Sequence, residues 1–382
     1  MRCALFRRLP VLSLLAMLVT VMGLCLVSSW CSPAQAAARS PLAQNADKVY
    51  DNAVLSEDTT WRGRVLVKGS LVVPPQTTLR IEPGAVVLFE KQSSLGPLPR
   101  LVVMGRIQCN GAPERKIVLG PNYATAEPGD WGGVLLLASE KRNVIEECRI
   151  EGADVGIEAH FSNLTVKGVT IARCVNGLVM RDSILTLQGG ALSECQVALE
   201  AQDSELDLRA TTLNQNRRGM ALARSSVTMT GLTVKGSELQ GIACDECRIR
   251  MTSCTVSDNG VGLEVKGGEG QINLTRFTRN RSLGAHLSAA RLKLQRCLFS
   301  DNQRDGLRMD DGRSLVWMSA FIGNNGNHLV NAGREPVTAV QNWWGTSDQQ
   351  AIAAHLLDRA RDAAVGPVRV FPWLTEPPPG LL

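Results

Sequence analysis

The chain has 382 residues, a formal net charge of +5, 44% hydrophobic residues and 4% aromatic residues. No long basic run or basic helix accompanies that small surplus of charge, which argues against nucleic acid or an anionic membrane as partner. Length alone would suggest two globular domains, but the internal repeat described below lets one elongated domain account for it.

Residues 1–36 read as an export signal. Arg2, Arg7 and Arg8 form a basic start, an apolar stretch runs from Val11 to Val27, and Ala34-Gln35-Ala36 is a small-residue cleavage site. Trp30 stands before Cys31, where a lipoprotein signal needs a small residue. Cleavage after Ala36 leaves 382 − 36 = 346 residues and removes three arginines, so the formal charge falls from +5 to +2. No later apolar run is long enough to cross a bilayer. The expected product is a monomer without a transmembrane segment, in the periplasm or outside the cell.

Residues 37–56 read as a flexible N-terminal segment, and 57–142 as an N-terminal cap with the first irregular coils. From Arg64 to Phe89, polar and apolar residues alternate around Pro74-Pro75 and Pro83-Gly84, which predicts short strands joined by tight turns. Longer loops at 92–99 and 122–130 precede Trp131-Gly132-Gly133-Val134.

A glycine followed by an apolar residue then recurs at Gly156, Gly177, Gly219, Gly241, Gly262, Gly284 and Gly306, with Ala198 in the one vacant slot, in steps of 21 or 22 residues. That is the period of one solenoid coil. Each coil carries an inward pair: Leu164/Val166, Leu185/Leu187, Leu206/Leu208, Val227/Met229, Ile249/Met251, Ile272/Leu274 and Leu292/Leu294. Period-2 alternation means half-buried strands, and a coil can bury its inward face only against its neighbours. The predicted fold is therefore all-β: a parallel β-helix of three parallel sheets, regular over 143–341.

A polar column supports the register. Asn216, Asn259, Asn280, Asn302 and Asn324 fall three or four residues before the repeat position, where their amides can bond corner backbone and the next coil as a structural ladder. Outside the signal segment the cysteines are Cys109, Cys148, Cys174, Cys195, Cys244, Cys247, Cys254 and Cys297. Cys174 and Cys195 should stack on neighbouring coils about 4.8 Å apart, near the lower limit for a disulfide, which favours buried small hydrophobes. Cys244-Asp245-Glu246-Cys247 lacks the second half of a zinc set, so a local disulfide or unpaired corner cysteines are expected, with no metal and no cofactor.

Residues 342–382 read as a C-terminal cap and proline-rich tail. Ile352, Leu356 and Leu357 have helical spacing within 348–362, so a short helix and Trp343-Trp344 would plug the last coil.

The segments LRIEPGAVVLF (79–89), GDWGGV (129–134) and NWWGT (342–346), with the glycine and asparagine repeat, resemble exported right-handed parallel β-helix repeat proteins of the pectin-lyase-like superfamily. The resemblance implies a right-handed coil and covers nearly all of the chain after the signal. It leaves function open, because this scaffold carries lyases, hydrolases, epimerases, adhesins and accessory proteins. The Asn-Thr-Asp, Gly-His-Gly and Arg-Ile-Lys marks of polygalacturonases are missing, as is the Trp-Ile-Asp-His of pectate lyases. Near-constant coil lengths also predict a shallow surface without groove walls.

One polar constellation is a candidate ligand-binding patch. Outward positions after the repeat glycine align Glu264, His286 and Arg308 in one column and Asp245, Lys266, Ser288 and Asp310 beside it, with about 4.8 Å between neighbours. Such a patch can bind a sugar or exchange a proton with it, whereas the plainer reading is a solvated face of paired charges. The expectation is a non-enzymatic scaffold binding a polysaccharide or a cell-envelope protein. The alternative is a carbohydrate-active lyase or hydrolase that uses Asp245, Glu264, Lys266, His286, Arg308 and Asp310.

Overall fold

The computed structural model describes residues 42, 45–93, 96–139 and 141–381. The export signal expected at 1–36 lies outside them. The described chain is a parallel β-helix in which every paired strand of the coils runs parallel to its neighbours. One coil contributes Asn163–Lys167, Thr170–Ala172 and Asn176–Arg181, and the next adds Ile184–Gln188, Ala191–Ser193 and Val197–Gln202 directly on top. Three stacks result. The stack that includes Asn163–Lys167 is a separate 14-stranded sheet. The other two are fused at the front, where the strand Arg64–Val73 pairs with Val86–Glu90 in one and with Arg100–Val103 in the other.

Stacking begins inside the stretch expected to be flexible. Lys48–Val54 pairs with Arg64–Val73 and forms the first rung, and the Trp61 indole donates to Tyr50 Oη at 3.1 Å beneath it. The remaining inward pairs face the core as expected, with one correction. Beside Ile272 the inward partner is Gly270, in register between Ile249 and Leu292, whereas Leu274 turns the corner with φ of 50° and lies exposed. Apolar identity alone could not separate a core position from a corner position one pleat away.

The corners share one device. A residue in the left-handed region, such as Arg173, Asp182 or Ser253, is followed by a small inward side chain that donates to the carbonyl two residues upstream. Serine does this from Ser183 Oγ to the Arg181 carbonyl (2.7 Å), and cysteine does it from Cys254 Sγ to Thr252 (3.3 Å) and from Cys174 Sγ to Ala172 (3.5 Å). Serine Oγ also accepts from the previous coil, as between the Ser162 N–H and Ser183 Oγ (3.1 Å). This satisfies backbone groups that the sheet ladder leaves open where the chain bends. The eight cysteines among the described residues are free and buried, so corner packing accounts for most of them without a disulfide.

Asparagine performs the same task in the rear half. Asn302 Nδ2 donates to the Phe277 carbonyl (3.1 Å) and to Asn324 Oδ1 (2.8 Å), while its Oδ1 accepts from the backbone N–H (3.0 Å) and Nδ2 (3.0 Å) of Asn280. Asn259 donates to Asn280 Oδ1 in the same way, and Asn216 bonds Cys195 N–H and the Leu192 carbonyl with Ser237 in the coil between. The repeat glycines permit close approach here: a Cβ at Gly219 would stand 2.3 Å from the Gly241 carbonyl oxygen.

At the rear, Phe277, Phe299, Phe321 and Trp344 stack at centroid distances of 5.1, 4.9 and 4.7 Å, so Trp344 closes an aromatic column through the core. The helix is shorter than its spacing predicts. It covers Gln349–Ala354, capped by Asp348 Oδ1 accepting from the Ala351 N–H, and then Leu356–Leu357 becomes a strand on Leu329–Asn331. Leu356 is buried as the last sheet rung, and Val368–Arg369 adds one more on Val337–Thr338.

Candidate functional site

The strands that follow the repeat glycines form one face of the solenoid. Inward Leu178, Leu199, Met220, Ile242 and Leu263 anchor each strand in the core, which aims the intervening side chains outward. One outward column runs Glu158, Val179, Glu200, Ala221, Ala243, Glu264, His286, Arg308, and its neighbour runs His160, Arg181, Gln202, Ala223, Asp245, Lys266, Ser288.

The sequence-predicted patch occupies the rear of this face. Glu264, His286 and Arg308 stand in direct register, and a chain of contacts links them to Asp310. His286 Nε2 lies 2.9 Å from Asp310 Oδ2, Arg308 Nε donates to Asp310 Oδ1 (3.1 Å), and His286 Nδ1 is 3.9 Å from Glu264 Oε1. Burial works against ionisation of Asp310, but the hydrogen bond and charge of His286, with those of Arg308, outweigh it and hold the carboxyl below its usual range. Asp245 and Lys266 face each other in register one coil nearer the front, both exposed, at the edge of the patch.

A depression of about 470 Å³ lies beside this chain and was not anticipated. Ala221, Ala223 and Ala243 form its floor because two consecutive coils place alanine where their neighbours carry longer side chains. Its front rim is Glu200 and Gln202, both held by Arg181 at 2.7 and 3.0 Å. Its rear rim is Glu264 and Lys266, with Gln240 donating to Glu264 Oε2 (2.8 Å) and accepting from Arg218 Nε (3.2 Å). Further forward, Glu158 bridges His160 Nε2 (2.8 Å) and Arg100 (3.6 Å). Following the second outward column through the earlier coils would have exposed His160, Arg181 and Gln202 in the sequence.

Cys244 and Cys247 stand apart from this chemistry. Cys244 points into the core and Cys247 fills a corner, its Sγ donating to the Asp245 carbonyl (3.3 Å). The hydrogen bond from the Cys244 thiol, against the effect of burial, lowers the Cys247 thiol to about 7. Among the described residues, no group of at least three His, Cys, Asp or Glu side chains is placed to share a metal ion, and no helix is long and apolar enough to cross a membrane.

Residues 218–343 match the family model described as "Right handed beta helix region". No curated protein matches the chain. Among solved structures, the chain is similar to the periplasmic alginate epimerase AlgG, at 12% identity over 83% of this chain and 76% of that one, with a TM-score of 0.42. It is also similar to the A-module of the Azotobacter vinelandii mannuronan C-5 epimerase AlgE4 (13%, 72% and 88%, TM-score 0.41). A third likeness is to the Dettilon tailspike protein (9%, 81% and 62%, TM-score 0.35).

Proposed function

For a chain that is a right-handed parallel β-helix repeat protein, we propose the role of an exported, non-catalytic scaffold that holds a polysaccharide, free or displayed on a cell-envelope partner. The observation that carries this reading is the alanine-floored depression between two polar rims. Alanine methyl groups suit the C–H face of a sugar ring, while Glu200, Gln202, Gln240, Glu264 and Lys266 offer donors and acceptors for its hydroxyl groups. Arg181 fixes one rim and Arg218 with Gln240 fixes the other, so little side-chain entropy is lost when a ligand arrives. The signal-like segment at 1–36 supports export.

A second reading is favoured by one specific contact. The 2.9 Å bond between His286 and Asp310 orients an imidazole whose other nitrogen faces Glu264, an arrangement suited to proton transfer in a lyase or hydrolase. Against it, each of these groups already has a partner on the protein.

Glycan-array binding by the chain lacking residues 1–36, followed by product analysis, separates the readings. Binding without turnover, lost in Ala243→Phe at unchanged melting temperature, is the expected result. Release of shortened or unsaturated sugars, abolished by His286→Ala, would replace the scaffold reading with the enzymatic one. Binding that survives Ala243→Phe would remove the depression from the argument.

A further inference from the structure

We propose that His328 and His355 form an acid-operated latch, in which a proton taken up by His328 releases the cap segment Gln349–Leu357 from the last coil while the coils ahead of it stay closed. The contacts meet at one point. The His328 N–H donates to the His355 carbonyl (2.7 Å), the two imidazoles stack at 4.6 Å between ring centroids, and His355 Nδ1 lies 3.4 Å from the Gly326 carbonyl oxygen. His355 also ends the helix Gln349–Ala354, and the next residue, Leu356, starts the strand that pairs with Leu329–Asn331. Parting the two rings therefore pulls on both elements of the cap.

The asparagine ladder decides which protonation state fits. Asn324 Oδ1 accepts from the backbone N–H (3.2 Å) and Nδ2 (2.8 Å) of Asn302, so its amide nitrogen faces the other way and donates to the Phe299 carbonyl (2.9 Å). The same nitrogen stands 3.2 Å from His328 Nδ1, which is therefore the acceptor nitrogen of a neutral ring. A proton on Nδ1 would set donor against donor in a site where His328 is only 5% exposed.

The charged groups around the ring offer that proton no compensation. The preceding coil presents Arg304 and Asp305, and Asp305 Oδ1 already accepts from the backbone N–H and Nδ2 of Asn327 (2.8 and 2.9 Å). The cap presents His355 and Arg361, whose guanidinium donates to Asn327 Oδ1 (2.8 Å) and to the Leu356 carbonyl (3.1 Å). Burial, with the charge of His355, accordingly lowers His328 to about 4 from an ordinary value of 6.5. An open cap returns the ring to water and to that ordinary value. The closed form is thus favoured fully above pH 6.5, and opening gains about tenfold per pH unit as the pH falls toward 4. The rear is also where opening is easiest. A six-residue helix and a two-residue strand hold the cap segment, whereas a regular coil such as that of Ile184–Gln202 pairs along three strands with both neighbours.

Hydrogen exchange of the chain lacking residues 1–36, read as protection factors so that the intrinsic effect of pH is removed, tests the latch. Between pH 7 and pH 4 the amides of His328, Ile352 and His355 should lose protection by roughly a hundredfold, while those of Leu206 and Leu208 keep theirs. His328→Gln, which does not titrate, should hold the same protection at both pH values. Unchanged protection of the cap in the parent, or an equal fall at Leu206 and Leu208, would overturn the proposal. So would a fall retained in His328→Gln, which would pass the role to a carboxylate such as Asp358, the acceptor for the Ala360 and Val368 N–H groups (both 3.0 Å). The ring C–H resonances of His328 in the parent give a reading that needs no variant. Proton uptake near pH 4 together with the loss of protection supports the latch, and uptake near 6.5 with the cap still protected sinks it.

Discussion

Along a single strand such as Glu205–Arg209, the molecule presents two kinds of position. Leu206 and Leu208 point inward, stacked between Leu185 and Leu187 on one coil and Val227 and Met229 on the other, and are essentially inaccessible. Glu205, Asp207 and Arg209 point outward, and the residues above and below them are Ile184, Thr186 and Gln188, then Ser226, Thr228 and Thr230. Inward columns repeat one chemistry because each coil must match the next. Outward columns change from coil to coil, and only there can a ligand site arise without disturbing the stack. The same contrast separates the chain's histidines. His328 is buried in the rear cap, stacked on His355 at 4.6 Å, whereas His286 lies on the outward face in contact with Asp310.

The sharpest way to break the contrast is to place a charge inside. Leu208→Asp would bury a carboxylate without a partner and open a gap between Leu187 and Met229, costing roughly 4 kcal/mol or more. Several coils should unfold together, with loss of the far-ultraviolet strand signal at temperatures where the parent is intact. Asp207→Asn, one residue away and outward, should leave the melting transition in place. Equal behaviour of the two variants would mean that the inward register is wrong.

Acid tests the buried histidine. Burial, reinforced by the neighbouring His355, lowers His328 to about 4 from an ordinary value of 6.5. A histidine held neutral in the folded chain takes up its proton first in the unfolded chain. Its contribution is therefore fully present above pH 6.5 and is lost as the pH falls toward 4, a difference of roughly 3 kcal/mol. Asp310 has its own window, below the usual carboxylate range, so the upper part of the acid transition belongs to His328. His328→Phe should flatten the dependence of melting temperature on pH between 6.5 and 4, and an unchanged slope would assign it to other groups.

What the sequence made legible follows the same division. Glycine spacing and paired leucines locate the coils, and the column from Asn259 to Asn324 is visible because asparagine recurs with the coil period. Leu274 was misplaced and the helix overextended to Leu357 because an apolar residue at the right spacing suits a corner, a helix or a last rung equally well. The corner role of cysteine was hidden for another reason. Ser183, Cys174 and Thr211 perform one geometric task, but as a string they share no chemical class. The patch from Asp245 to Asp310 could be assembled by counting, since its six polar side chains fall in two adjacent columns. The alanine-floored depression could not be read that way, because it is defined by side chains that are short, and an alanine in a strand carries no mark of what surrounds it.

The smallest effect is expected from the outward ion pairs. Arg279 Nε and a second guanidinium nitrogen bond both oxygens of Asp258 at 3.0 and 3.1 Å, which holds that carboxyl below its usual range against the effect of its partial burial. Both side chains are about half exposed, so solvent and salt screen most of the attraction. Asp258→Asn keeps the shape and removes the charge, and it should lower stability by about 0.5 kcal/mol or less in dilute buffer. The difference from the parent should shrink further in 1 M sodium chloride. A loss as large as that of Leu208→Asp, or one indifferent to salt, would show that outward columns carry the stack too, and the division between inward and outward positions would fail. Because Asp258 precedes Asn259 in the corner and takes φ of 59°, asparagine, which tolerates that conformation, keeps the backbone of the ladder undisturbed and confines the measurement to the charge.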